Sequence, residues 1–145
     1  MDERKKEMKE LKKKLWEWGR AMERFVWKEE EIKKIQMFYE MQREIWEKRA
    51  GGKNNKELEQ IQKEYQEEVG KLRIEMVEIL REKRRMDEMI RRLEREEQTF
   101  LKHRFEKGYG FDYISVKMHL SRATLFRMQN KALEELLEIE KLRLS

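Results

Sequence analysis

Arg122, Ala123, Phe126, Arg127 and Asn130 recur at helical spacing in the stretch "SRATLFRMQNK" (121–131), and all five fall on one side of the helix that this spacing predicts. Two guanidinium groups, a carboxamide, a methyl and an aromatic ring on one face are the groups that discriminate base edges in a major groove. Arg donates paired hydrogen bonds to guanine, an amide pairs with adenine, and apolar groups meet thymine methyls. Leu125 and Met128 point the other way, which reserves the opposite side of the helix for packing.

Such a face is useful only if something holds it outward, and the preceding residues, "YISVKMHL" (113–120), supply the means. Ile114, Met118, Leu120, Leu125 and Met128 are the apolar positions of two short helices that meet at a tight turn, a helix-turn-helix pattern. Gly108 and Gly110 interrupt whatever helix comes before, and Gly110 or Asp112 is placed to cap the first short helix. "HL" (119–120) makes the turn with Leu120 inward, and small Ser115 suits the crossing. Ser121 is then a natural N-cap, its hydroxyl within reach of the Thr124 amide or its neighbour. The plainer alternative is a small helical core with ordinary solvated arginines on its outside.

Charge supports the first reading. The chain carries 36 basic and 31 acidic residues for a formal net charge of +5, yet residues 98–131 alone hold seven basic against two acidic groups. The positive excess collects around the two short helices, where a polyanion would have to sit. Elsewhere the basic clusters "REKRR" (81–85) and "RRLER" (91–95) are interleaved with Glu82, Asp87, Glu88, Glu94 and Glu96 and read as solvated ion-pair faces.

The remainder predicts long helical arms. With 46% charged residues, no Pro and six Gly in 145 residues, the chain lacks both helix breakers and the apolar supply for one large globular core. An all-α fold is expected. Leu11, Leu15, Trp18, Met22, Phe25, Ile32, Tyr39 and Trp46 form a helical stripe, predicting one helix of about 45 residues, roughly 70 Å long. "AGGKNN" (50–55) offers a C-terminal stop and turn, and Leu58, Ile61, Tyr65, Val69, Leu72, Met76, Ile79, Met86, Ile90 and Leu93 continue the stripe in a second long helix. Two such helices should fold back as an antiparallel, coiled-coil-like hairpin over residues 1–92, ahead of a helix-turn-helix head at 93–145. Val26, Ile35, Phe38 and Ile45 widen the apolar face, and Trp16 and Trp27 lie off the main stripe. A surface buried against another copy or another protein is therefore expected, and self-association as a homo-oligomer, a dimer before higher orders, is the expectation.

Other chemistry is scarce. His103 and His119 are sixteen residues apart in different elements, no carboxylate pair sits in an apolar pattern, and there is no Cys and no phosphate-cradling Gly loop. No enzyme activity, metal site or cofactor is expected. The start, "MDERKKEMKELKKK", is charged with no apolar run behind it, so neither a signal peptide nor a membrane partner is expected, and a cytoplasmic location follows.

The segment 93–136 resembles region four of sigma factors and, more closely, the phage transcriptional regulators of the ArpU and RinA type. Leu93, Glu97, Phe100 with Leu101, Arg104-Phe105 and Gly108 match that family's opening helix. Ile114, Ser115 and Met118 match its Ile-Ala-x-x-Leu helix. Ser121, Arg122, Thr124, Leu125, Phe126, Arg127 and Met128 match its Ser-Arg-x-Thr-Val-aromatic-Arg-Ile run, and Lys131, Ala132 and Leu133 its trailing Lys-Ala-Leu. His119 departs from the family, which has Gly in the turn, and "GFD" displaces its usual Ser or Thr cap. The resemblance implies a phage or prophage regulator that binds double-stranded DNA in the host cytoplasm. Lys117, Ser121, Thr124 and Lys131 would hold phosphates, and Arg122, Ala123, Phe126, Arg127 and Asn130 would face the bases. Likeness to sigma region four adds RNA polymerase as a second partner for the head. The alternative is a DNA-packaging role as a small terminase subunit, in which DNA-binding helices are coupled to oligomerising hairpins, although there the DNA-binding element more usually comes first. A purely structural coiled-coil adaptor, with no DNA affinity, is a third.

Overall fold

A computed structural model describes residues 2–50 and 56–144, with Ala50 and Leu144 as backbone only. The fold is all-α. Its helices are α1 (Asp2–Gly19), α2 (Ala21–Ala50), α3 (Lys56–Ile90), α4 (Arg95–Leu101), a π-helical turn (Lys102–Glu106), α5 (Phe111–Met118) and α6 (Arg122–Leu144). The expected turn at "AGGKNN" lies outside the described residues for 51–55. Among the described residues no helix is long and apolar enough to cross a membrane.

The chain divides into two compact bodies, one of Met22–Leu80 and one of Met1–Ala21 with Arg81–Ser145. In the first, α2 and α3 run antiparallel: Lys28 pairs with Glu75 at 2.8 Å, and Tyr39 stacks on Tyr65 with ring centroids 4.3 Å apart, so advancing along one helix means retreating along the other. Ile32, Val69 and Leu72 form the seam, flanked by Ile35 and Met76. A seam of three buried side chains is thin, and Val26, Phe38 and Ile45, from the second apolar set on α2, stay substantially in water.

The second body holds the main core. Leu11, Leu15 and Trp18 of α1 pack with Met86, Met89 and Ile90 at the end of α3, with Leu93, Phe100, Leu101 and Phe105, and with Ile114, Leu125, Ala132, Leu133, Leu136 and Leu137. Leu93 and the helices after it share this core with α1 and the end of α3. The start of the first arm and the end of the second are built into the body that carries the helix-turn-helix. Trp16, expected to seek another copy, instead meets Phe105 edge to face at 4.8 Å within its own chain.

The single 45-residue first helix is also corrected, since the chain breaks between α1 and α2 at Arg20. The cause is a close crossing. A Cβ on Gly19 would collide with the Phe105 carbonyl oxygen, so only Gly permits this approach, and the Arg20 guanidinium donates to the Glu106 carbonyl at 3.2 Å. The carbonyls involved belong to the π-helical turn, where wider winding leaves backbone acceptors to be satisfied from outside.

Candidate nucleic-acid interface

α5 and α6 are joined by a turn whose geometry is set by three local contacts. His119 ends α5 in the left-handed region at φ 57°, ψ 41°. This conformation costs a side-chain-bearing residue and is one that Gly adopts freely. The Ser115 hydroxyl donates to the Leu120 carbonyl, while the Leu120 amide donates to the Ser115 carbonyl at 3.2 Å, which closes the turn from both sides. Ser121 then caps α6: the Thr124 amide donates to its hydroxyl oxygen at 3.1 Å, and the two hydroxyls lie 2.9 Å apart. Gly110 stands at the N-cap of α5 without a side-chain cap, so Asp112 is left for other work.

Beneath the turn Ile114 and Leu125 are fully buried, as the pattern requires, and outward from them the expected face is present. Arg122, Ala123, Phe126, Arg127 and Asn130 are all exposed along α6, and so is Lys117 at the end of α5. Several are held by neighbours. Arg122 pairs with Asp112, Nε to Oδ1 at 3.3 Å. Arg127 donates to the Thr124 hydroxyl at 3.3 Å. Phe126 lies flat on Phe111, centroids 4.2 Å apart at 11°, so one side of its ring is spent on packing while the residue keeps 44% exposure. Lys117 stands 5.6 Å over the Tyr113 ring.

Lys131 is placed differently from the expected phosphate ligands. Its ammonium lies 3.5 Å from Glu94, 3.8 Å from Glu97 and 3.9 Å from Glu135. Glu94 above all, then Glu97 and Glu135, raise its pKa above the ordinary lysine value. With these contacts Lys131 ties α6 to the start of α4. Glu97 is the inner member of the cluster, 2% exposed and with neither oxygen hydrogen-bonded. Burial pushes its carboxyl above the usual glutamate range, Glu135 and Glu94 push in the same direction, and Lys131 opposes them.

Sequence reasoning missed four members of this region. Asp112 was read only as a cap, and its pairing with Arg122 depends on the angle at which the helices cross. Arg104, matched to the family only by type, sits with its guanidinium 5.1 Å from both the Trp16 and Phe111 rings and donates to the Tyr109 carbonyl at 3.0 Å, which braces the segment before α5. Val116 and Tyr113 are exposed on the outer side of α5, Val116 at 73%, beside Lys117. A period-3.6 reading of "FDYISVKM" would have shown them on the face opposite Ile114. Among the described residues no cluster of three or more His, Asp or Glu is arranged to hold a metal ion.

No curated protein and no solved structure matches the chain. Residues 43–137, roughly two thirds of the sequence and including the helix-turn-helix through Leu137, match a family model, and the chain belongs to that family, described as "Protein of unknown function (DUF1492)".

Proposed function

We propose that the chain is a sequence-specific double-stranded DNA-binding regulator of transcription, of the phage or prophage kind, which lays the N-terminal half of α6 in the major groove. The observation that carries the reading is the Ser121-capped start of α6, which leaves Arg122, Ala123, Arg127 and Asn130 exposed on one side of a helix anchored by Leu125 on the other. Arg122 and Arg127 suit guanine edges, Asn130 an adenine, and Ala123 with the free edge of Phe126 a thymine methyl. Lys117, Ser121 and Thr124 lie at the two helix ends nearest the turn, where phosphates flanking a groove would pass. Lys131 is not among them.

Selection of bound sequences from random duplex DNA, followed by anisotropy titration of the enriched site and of a scrambled duplex, tests the reading. A reader of sequence binds its enriched site on the order of a thousandfold tighter than scrambled DNA at one salt concentration. Equal affinity for the two duplexes would reduce α6 to a basic surface.

A further inference from the structure

α2 is apolar on two opposite sides. Ile32, Ile35 and Tyr39 turn toward α3, whereas Trp27, Met37, Phe38, Met41 and Ile45 are each more than half exposed, Trp27 and Met37 to 65%. At 100° per residue these five fall within one arc of about 100°, its centre about 140° around the helix from the α3 seam. Scattered exposed apolar side chains are ordinary, but five on one stripe of one helix are a surface built for contact. They leave roughly 600 Å² of side chain in water, about three quarters of what a standard specific interface buries per partner, before the stems of Lys34 and Lys48 are counted.

Charge along the same stripe names the occupant. Glu23, Glu30 and Glu31 flank its N-terminal half, Lys34 stands near its middle, and Lys48 and Arg49 lie at its C-terminal end. A parallel copy would set Glu23 against Glu23 and Lys48 against Lys48. An antiparallel copy sets Glu23 against Lys48 and Arg49, Trp27 against Ile45 and Lys34 against Phe38, with Met37 beside the twofold axis. Trp27, Phe38 and Ile45 then each meet an apolar residue or a lysine stem, Met41 falls opposite Glu31, and the acidic end meets the basic end. We propose that the outer stripe of α2 is a homodimer interface formed with a second copy of α2 laid antiparallel across a twofold axis. The contact is isologous and closes on itself, so it gives a dimer and no fibre. It stands independently of whether α6 binds DNA.

The absence of Cys in the chain makes the test direct. Under mild oxidation Met37→Cys should give a disulfide-linked dimer and Glu23→Cys should not, while a mixture of Trp27→Cys and Ile45→Cys chains should cross-link to each other. Sedimentation equilibrium of the full chain should show a dimer at micromolar concentration, and the double variant Phe38→Glu with Met41→Glu should weaken association at least about a hundredfold while keeping its helical circular dichroism. A wild-type chain monomeric up to roughly 100 µM would overturn the proposal and leave the stripe to a different protein or a lipid surface. So would self-cross-linking of Glu23→Cys in place of Met37→Cys, which means a parallel pair, or a dimer that survives the double variant with helicity intact. Should the double variant lose its helicity, the cysteine pairs decide.

Discussion

Arg122, the first residue of α6, is held across the turn by Asp112 of α5, with Nε and Oδ1 3.3 Å apart and both side chains largely exposed. An exposed pair of this kind contributes little to folding, on the order of 0 to 1 kcal/mol. In the proposed reading its effect would fall on binding, because the carboxylate would aim a guanidinium and at the same time repel the phosphates flanking it.

Arg122→Ala and Arg127→Ala should each cost about 1 to 3 kcal/mol on the enriched duplex and flatten discrimination at one or two base pairs. Lys117→Ala should weaken all duplexes alike and lower the slope of log affinity against log salt by about one. Asp112→Asn should do the reverse of Lys117→Ala on scrambled DNA, raising affinity and steepening the salt slope, while the preferred site gains less. Anisotropy titrations over a range of salt read all four. Equal losses on both duplexes for the two Arg variants would remove them as base readers.

His119→Gly should stabilise the protein by up to about 1 kcal/mol, since φ 57° is a left-handed conformation that costs a side-chain-bearing residue and Gly repays only part of the gain through its freer unfolded chain. The urea midpoint should rise with an unchanged slope. A fall would mean that the imidazole makes a contact worth more than the backbone cost.

Gly19→Ala should be among the most damaging single-methyl additions in the chain. The new Cβ meets backbone, the Phe105 carbonyl, so α1 and the π-helical turn must separate and the Arg20 to Glu106 hydrogen bond with them. A loss of about 2 to 4 kcal/mol is expected by thermal or urea unfolding. Gly70→Ala, with nothing within 4 Å of the added carbon, is the control and should be neutral or stabilising.

Stability should fall as pH rises above the ordinary glutamate range, because Glu97 has a raised pKa in the folded protein and so holds its proton where the unfolded chain has lost it. The folded state binds more protons in that window, and the contribution is full below the unfolded pKa and lost through the folded one. Glu97→Gln should flatten this part of the stability-pH profile while leaving Lys131 its contacts with Glu94 and Glu135. A profile with the same downward slope in the variant would assign the effect to another group.

The helix-turn-helix was legible because its determinants are local. Ser121 reaches three residues ahead, Ile114 and Leu125 mark inward faces by spacing, and exposure of Arg122, Arg127 and Asn130 follows from the same period. What escaped depends on contacts between residues distant in sequence. Nothing in "LWEWGRAM" (15–22) says that Gly19 will meet a carbonyl 86 positions later, so the break at Arg20 reads as continuous helix. Lys131 looks like any exposed lysine of a basic face until Glu94 and Glu97 of another helix are placed beside it. The stripe on α2 was visible in composition, but which of its sides would meet α3 was not.

The core of the helix-turn-helix body draws on Leu11, Leu15 and Trp18 as well as on Leu133, Leu136 and Leu137. On the ribosome, α1 is therefore made well before its partners on α6: its apolar side emerges ahead of them and must wait while the intervening residues are translated, some seconds at ordinary rates of about 5 to 20 residues per second. The tail must clear the exit tunnel before that side can be covered. Until then the apolar side of α1 stays uncovered, and a chain cut before Leu133 lacks the α6 residues that cover it.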